Sequence, residues 1–348
     1  MLVEDSLVVR ALLRHIVSRD ARLECVAAVA SGEEALAAID AVRPDVISMD
    51  IRLPGIDGLE TTRRIMAERP TPIVVIADAI EDSSLRISMN ALRAGALSVV
   101  EKPVATTNAG YDAVAGEICT QLRIMAQVPV IRRRPIGAEW TGRPANAMPT
   151  PTPAASQQPS VLALAASTGG PPALARVLGA LPETFPLPVL VVQHMGPAFM
   201  EGFANWLDGV VPMPVALARD GGRAEPGRVY VAPGDRHLEL GPGRTLRILD
   251  SPPVAGQRPA ATVLFRSLAR QAGASGIGVL LTGMGEDGAC GLLDMHAAGA
   301  QTVAEHESTA VVYGMPAAAV RLRAARLVLP LDRIAAHLLR LVLPDRPA

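Results

Sequence analysis

The sequence predicts an α/β protein built from two doubly wound parallel sheets joined by a linker rich in Pro and Ala. Its 348 residues correspond to two or three domains at about 150 residues each. Short β-branched apolar runs alternate with helix-period segments in two blocks, one ending near Val104 and one starting at Val161. Between them, Val128–Ser160 loses all periodicity and fills with Pro, Ala, Ser and Thr, the composition of a flexible, partly polyproline linker.

In the first block, Leu23–Val29, Val46–Met49, Ile73–Ile76 and Leu97–Val100 read as strands, since they are continuous apolar runs bounded by turn residues. Ser6 and Ser31 are placed to cap helices, Gly58 precedes a third, and Gly95 stops a fourth over Ser83–Ala94. Only Leu2 and Val3 stand ahead of Glu4, too few for a central strand to pair both neighbours. The expectation is unpaired ladder groups on those neighbours and a natural start upstream of Met1. Tyr111–Gln127 reads as a further helix, and Arg132–Arg134 as solvated linker charge.

In the second block, Val161–Ala165, Leu190–Gln193, Ile277–Leu281 and Thr302–Ala304 read as strands with helices between. Arg228–Val231 and His237–Ile248 read as an antiparallel interlude turning at Gly241–Arg244.

Composition narrows the function classes. Hydrophobic residues at 49% against 19% charged exclude general disorder, and a net charge of −1 gives no pull toward nucleic acid or anionic membrane. Aromatics at 3% exclude stacking platforms for single strands. No apolar run is long enough to span a bilayer, and the acids in the first residues are unlike a signal peptide. Cys25, Cys119 and Cys290 are scattered and form no CxxC pair, so they read as reduced thiols of a cytoplasmic protein.

Two clusters carry chemistry. Glu4 and Asp5 follow Leu2-Val3, Asp50 closes Val46–Met49, and Lys102 follows Leu97–Val100, all at the carboxyl ends of parallel strands where such sheets bind ligands. Converging carboxylates call for a hard cation, and Mg²⁺ takes a few carboxylates together with phosphate oxygens. Lys102 could neutralise a phosphoryl group there. In the second block, Ala166-Ser167-Thr168-Gly169-Gly170 turns sharply after a strand and opens a helix at Pro171-Pro172. That turn could be a cap, a phosphate loop or an exposed nucleophile with backbone N–H groups for an oxyanion. His194 ends the next strand, a position from which it can serve as a base. Asp287 arrives within Leu281-Thr282-Gly283-Met284-Gly285-Glu286-Asp287-Gly288 on the same rim, where it can orient the imidazole. Alone each residue is ordinary; together they suggest nucleophile, base and orienting acid. His237, beyond a hairpin strand, reads as structural, and His15, His296, His306 and His337 carry no assigned role.

The runs Glu4-Asp5-Ser6, Met49–Leu59 and Lys102-Pro103 resemble the receiver domain of two-component response regulators, over about residues 1–105. The resemblance implies a flavodoxin-like fold, phosphorylation of Asp50 by a histidine kinase, Mg²⁺ held by Glu4, Asp5 and Asp50, and Lys102 on the phosphoryl group. Ala77 and Val99 stand where receivers carry a hydroxyl and a switching aromatic, so the relay is expected to be weak. Ala166–Gly170, Val192–Met195, Gly227–His237, Val263–Ser267, Leu281–Ala289 and Val311–Pro316 resemble the catalytic domain of CheB-type chemotaxis methylesterases, over 160–345. That implies a Rossmann-like sheet with a hairpin insert, following a helix and linker over 106–159. It also implies hydrolysis of glutamate γ-methyl esters on chemoreceptor helices, with glutamine deamidation as a companion activity. Ser167 would be nucleophile, His194 base, Asp287 the acid, and backbone N–H groups at Thr168 or Met284 the oxyanion donors, with no cofactor for this step. Two runs depart from the family: Arg258-Pro259-Ala260-Ala261-Thr262 and Ala304-Glu305-His306-Glu307. These are expected to touch substrate choice or domain docking, not the triad. The reading is of a monomer without nucleic-acid or membrane partners. A DNA-binding regulator is disfavoured by charge and by the lack of a terminal helix-turn-helix, and a non-catalytic regulator retaining the fold is the alternative.

Overall fold

The computed structural model describes residues 1–77, 91, 94–103, 108–128 and 158–342. The expected helix Ser83–Ala94, apart from Ala91 and Ala94, lies outside the described residues. So do Arg132–Arg134 and nearly all of the expected linker.

The first block forms β1 (Leu2–Val3), α1 (Leu7–Ser18), β2 (Ala28–Val29), α2 (Gly32–Val42), β3 (Ile47–Met49), α3 (Gly58–Glu68), β4 (Ile73–Ala77), β5 (Ser98–Glu101) and α4 (Asn108–Met125). Among the described residues the sheet runs β2-β1-β3-β4-β5, and every pairing is parallel. β1 corrects an expectation. Its two residues do pair both neighbours, through Leu2 N–H to Ala27 O and Glu4 N–H to Val29 O on one side, and Ser48 N–H to Met1 O and Asp50 N–H to Val3 O on the other. A parallel ladder alternates donors and acceptors between neighbours, so the flanking residues Met1 and Glu4 supply what the short strand lacks. The brevity shows up in β2 instead. The expected strand Leu23–Val29 contracts to Ala28–Val29, because a ladder extends only as far as its partner.

Ser6 and Ser31 cap α1 and α2, accepting from Val9 N–H and Glu34 N–H. Asp57 caps α3 by accepting from Glu60 N–H at 2.7 Å, so Gly58 is the first residue of that helix rather than its cap.

The second block forms β6 (Val161–Ala166), α5 (Gly170–Gly179), β7 (Val189–Gln193), α6 (Met200–Asp208), β8 (Val215–Leu217), β9 (Val229–Val231), β10 (His237–Leu240), β11 (Leu246–Leu249), α7 (Ala261–Gln271), β12 (Gly276–Leu280), α8 (Ala289–Ala297), β13 (Gln301–Glu305), α9 (Met315–Arg321), β14 (Leu327–Leu329) and α10 (Leu331–Val342). The order β14-β13-β12-β6-β7-β9-β8 is parallel throughout. β6, β7 and β12 are central and wholly buried, as their unbroken apolar runs require. The antiparallel insert is the β10–β11 hairpin alone. β9, expected to belong to it, slots between β7 and β8 in the main sheet, where its two valines are buried. A three-residue apolar run carries no signal of strand direction, so the sequence could not separate the two placements.

One close approach fixes the turn after Asp50. A Cβ on Gly58 would stand 2.0 Å from the Asp50 carbonyl oxygen, and Gly58 N–H bonds Ile51 O at 2.9 Å. Gly58→Ala must therefore push α3 off this turn. The expected outcome is a loss of about 1–3 kcal/mol in denaturant unfolding of the first block, with the cap variant Asp57→Ala costing about 1 kcal/mol.

Candidate active site

The carboxyl ends of β6, β7 and β12 lie side by side, and the turns leaving them bring Ser167, His194 and Asp287 to one rim. His194 Nε2 lies 2.8 Å from Asp287 Oδ2, with both side chains almost wholly buried. Burial pushes the Asp287 carboxyl up. The His194 contact and the donors of Thr262 more than offset it, so the carboxyl titrates below its ordinary range. An ionised carboxylate only accepts, so the proton on His194 belongs to Nε2. Nδ1 is then the free lone pair, and it is buried with no hydrogen-bond partner. Ser167, half-buried, lines the same cleft as His194 and Thr168. Ser167 N–H is committed to Thr282 O at 3.0 Å. Of the residues expected to donate to an oxyanion, Thr168 is buried in the wall of this cleft and Met284 is 44% exposed.

Asp287 is held by a feature the sequence reading missed. Its Oδ2 also accepts from Ala261 N–H at 2.6 Å, and its Oδ1 accepts from Thr262 N–H at 3.0 Å and Gly288 N–H at 2.8 Å. Ala261 and Thr262 are first-turn donors of α7, whose N-cap residue Ala260 offers no side-chain acceptor, while Gly288 directly precedes α8. The carboxylate from the turn after β12 therefore caps α7. Thr262 Oγ1 accepts from Gly288 N–H at 2.8 Å, closing the loop. The Ala260–Thr262 departure, expected to bear on substrate or docking, thus packs directly on Asp287 through Ala261 and Thr262. The signal was present in sequence only as an Arg-Pro step before an apolar helix, which points to no partner. His237 is structural as expected, with Nδ1 accepting from Ala260 N–H and Nε2 facing Pro252 O, each at 3.1 Å.

The other departure also lands beside the site. Glu305, wholly buried at the end of β13, accepts from Thr282 N–H at 2.8 Å through Oε2, while its Oε1 has no partner. Burial raises its carboxyl to about 6, against the pull of the Thr282 N–H and Thr309. Thr282 Oγ1 in turn bonds Thr168 O at 2.9 Å and accepts from Val312 N–H at 2.9 Å.

In the first block, ligand atoms of Glu4, Asp5 and Asp50 lie within 4.8 Å of one another, Glu4 and Asp50 buried and Asp5 exposed. Lys102 Nζ reaches Asp50 Oδ2 at 2.8 Å and Glu4 Oε2 at 3.0 Å. Burial and the neighbouring Asp50 charge lift Glu4 to about 7 despite Lys102, and burial likewise raises Asp50. Asp50 Oδ1 is held by Ile51 N–H at 2.7 Å, leaving Oδ2 toward the lysine. Ala77 and Val99 are both buried in adjacent strands.

A protein-family model for CheB methylesterase matches residues 162–338, and one for the response regulator receiver domain matches 1–110. The chain belongs to the CheB methylesterase family. It is 53% identical to protein-glutamate methylesterase/protein-glutamine glutaminase 2 of Paramagnetospirillum magneticum, covering 99% of this chain and 97% of that one. It is 45% identical to the fourth such protein of Myxococcus xanthus, over 97% and 95%. The crystal structure of the Thermotoga maritima CheB methylesterase catalytic domain covers 53% of this chain and 99% of its own, with 37% identity and a TM-score of 0.52. The α/β sheets expected from sequence are those of the family. Among the described residues no helix is long and apolar enough to cross a membrane.

Glu305 yields a pH prediction. Its folded value is raised above the unfolded 4.5, so ionising it destabilises the fold. Stability should be highest below about pH 4.5 for this group, fall as pH rises through about 6, and level off above. Glu305→Gln should remove that slope and add about 1–2 kcal/mol at pH 8, measured by urea unfolding across the pH range.

Proposed function

We propose that this chain hydrolyses glutamate γ-methyl esters on the cytoplasmic helices of chemoreceptors, releasing methanol, under control of receiver phosphorylation. The carrying observation is the buried His194–Asp287 pair beside Ser167, with Nδ1 of His194 left free, in a chain of the methylesterase family. Ser167 Oγ attacks the ester carbonyl while His194 Nδ1 takes its proton. Asp287 holds the imidazolium through Nε2. The developing oxyanion falls to Thr168 and Met284 N–H, since Ser167 N–H is already bound to Thr282 O. The proton on Nδ1 passes to the leaving methoxide. Water then attacks the acyl-serine with His194 again as base, giving glutamate and free Ser167. A glutamine amide follows the same path and loses ammonia, in keeping with the double name of the relatives.

The domain order is a receiver over 1–105, a helix and linker over 106–159 and the esterase over 160–345, acting as a cytoplasmic monomer. A histidine kinase supplies the phosphoryl group to Asp50. Glu4, Asp5 and Asp50 would hold Mg²⁺: burial, and after it the Asp50 charge, raises Glu4 to about 7, and converging carboxylates are a donor set that a hard cation relieves. That ion would supply charge neutralisation for the phosphoryl oxygens, and Lys102, which reaches Asp50 Oδ2 and Glu4 Oε2, would contact the phosphoryl group. Masking is supported by the cleft at Ser167 and His194, whose other wall is Leu97 and Val99 of the β5 segment and Glu117 and Gln121 of α4.

Ser167→Ala should lower methanol release on the order of 10⁴–10⁶-fold, and Asp287→Asn by less, in a fold that circular dichroism finds intact. Wild-type turnover in Ser167→Ala would sink the assignment. The relay is a separate matter. Ala77 offers no hydroxyl to a phosphoryl oxygen and Val99 no aromatic ring to swing, so the phosphorylated state gains little differential contact. Loss of one charge-assisted hydrogen bond lowers the coupling about tenfold or more. Deleting residues 1–155 should therefore raise methanol release far more than acetyl phosphate does with the full chain, and equal activation by both would refute the weak relay.

A further inference from the structure

We infer that Gln193, the last residue of β7, is the positioning residue that fixes the nucleophile turn against the base turn. The inference rests on the triad reading above. Gln193 is 1% exposed, and its Nε2 donates both its protons, to Ser167 O and to His194 O, each at 2.9 Å. One amide thus binds the backbone carbonyls of the two residues that must exchange a proton.

The location explains why such a strut is needed. β6 and β7 pair in register up to Ala166 opposite Gln193, and His194 N–H still reaches Ala166 O at 3.0 Å. Beyond that bond the two chains turn away from each other, one into α5 and one toward α6. The Gln193 amide bridges the turns just where the ladder ends. Its orientation is fixed from the other side too. Oε1 has no hydrogen-bond partner and stands 2.1 Å from where a Cβ on Gly170 would be. Gly170 is therefore glycine to leave room for this amide, independently of its place at the start of α5.

A buried amide whose two donors are used and whose acceptor is idle serves the carbonyls. Displacing reacting groups by about 1 Å costs on the order of 100-fold in rate, so the effect belongs in kcat rather than in KM. Gln193→Met keeps length and removes both donors. Gln193→Glu keeps shape; ionised it faces two carbonyls with no donor, and protonated it regains one.

The test measures methanol release by full-length protein carrying Ser167→Ala, Gln193→Met, Gln193→Glu or Gly170→Ala, with melting followed in parallel. Gln193→Met should lose about 10–100-fold in kcat with KM within threefold. Gln193→Glu should recover relative to wild type as pH falls from 8 to 6. Gly170→Ala, which crowds the amide, should lower kcat in the same direction and add little to Gln193→Met. Should Gln193→Met fail to fold, the pH ratio of Gln193→Glu decides. A dead Ser167→Ala beside Gln193→Met within twofold of wild type overturns this inference alone. A Gln193→Glu deficit that does not change with pH also overturns it. Turnover surviving in Ser167→Ala overturns the triad reading and this inference with it.

Discussion

The rim that carries Ser167, His194 and Asp287 depends on one buried carboxylate. An ionised group out of water costs several kcal/mol unless donors surround it, and Asp287 is surrounded by Ala261, Thr262 and Gly288 N–H and by His194 Nε2. The same contacts give α7 the cap that Ala260 cannot provide. They keep the carboxyl ionised, and so put the histidine proton on Nε2 and the lone pair on Nδ1. Gly288 reaches this geometry at φ +87°, where a Cβ would stand 2.8 Å from Leu280 Cδ1, so the turn tolerates no larger residue. Helix start, tautomer and the free nitrogen of His194 thus follow from a single placement.

The two rims treat negative charge in opposite ways. Around Asp287 the donors are backbone N–H groups fixed by helix and turn, and the charge is stabilised before any substrate arrives. Around Asp50 the neighbours are two more carboxylates and the single ammonium of Lys102, and Glu4 is lifted to about 7. The first arrangement is preorganised and satisfied. The second is under electrostatic stress that a bound cation or a change of charge at Asp50 would alter. A satisfied carboxylate and a crowded one are built on the same kind of sheet edge, and they differ in what surrounds the acid.

Much of this was legible in the sequence because parallel sheets write themselves plainly: buried strands are unbroken apolar runs, and functional groups collect at their carboxyl ends. Ser167, His194, Asp287, Glu4, Asp5, Asp50 and Lys102 all stand at such ends. What was not legible depends on contacts across the sheet. β9 was assigned to the hairpin because three apolar residues do not say which neighbour they join. Ala261 and Thr262 act through backbone N–H groups, which no residue type betrays. Gln193 looked like the ordinary end of a strand, and its value lies in the direction of one amide. Glu305 was noticed as a departure, but its burial under Thr282 was not readable from its neighbours along the chain.

The turn after β12 also touches the first block through its neighbours. Val311 and Val312 pack against the core of the first block formed by α1, β4 and α4. Val312 is bonded to the turn after β12, its N–H to Thr282 Oγ1 at 2.9 Å and its carbonyl to Gly283 N–H at 3.0 Å and to Thr282 Oγ1 at 3.4 Å. A Cβ on Gly169 would stand 2.5 Å from Val311 Cβ, and one on Gly283 would stand 2.7 Å from Ser167 Cβ. The nucleophile turn, the turn bearing Met284 and the Val311–Val312 loop are therefore in contact with no slack between them. Close-packed interiors transmit displacement rather than absorb it. Val311 and Val312 thus link the core of the first block to Thr282, whose carbonyl holds the Ser167 N–H.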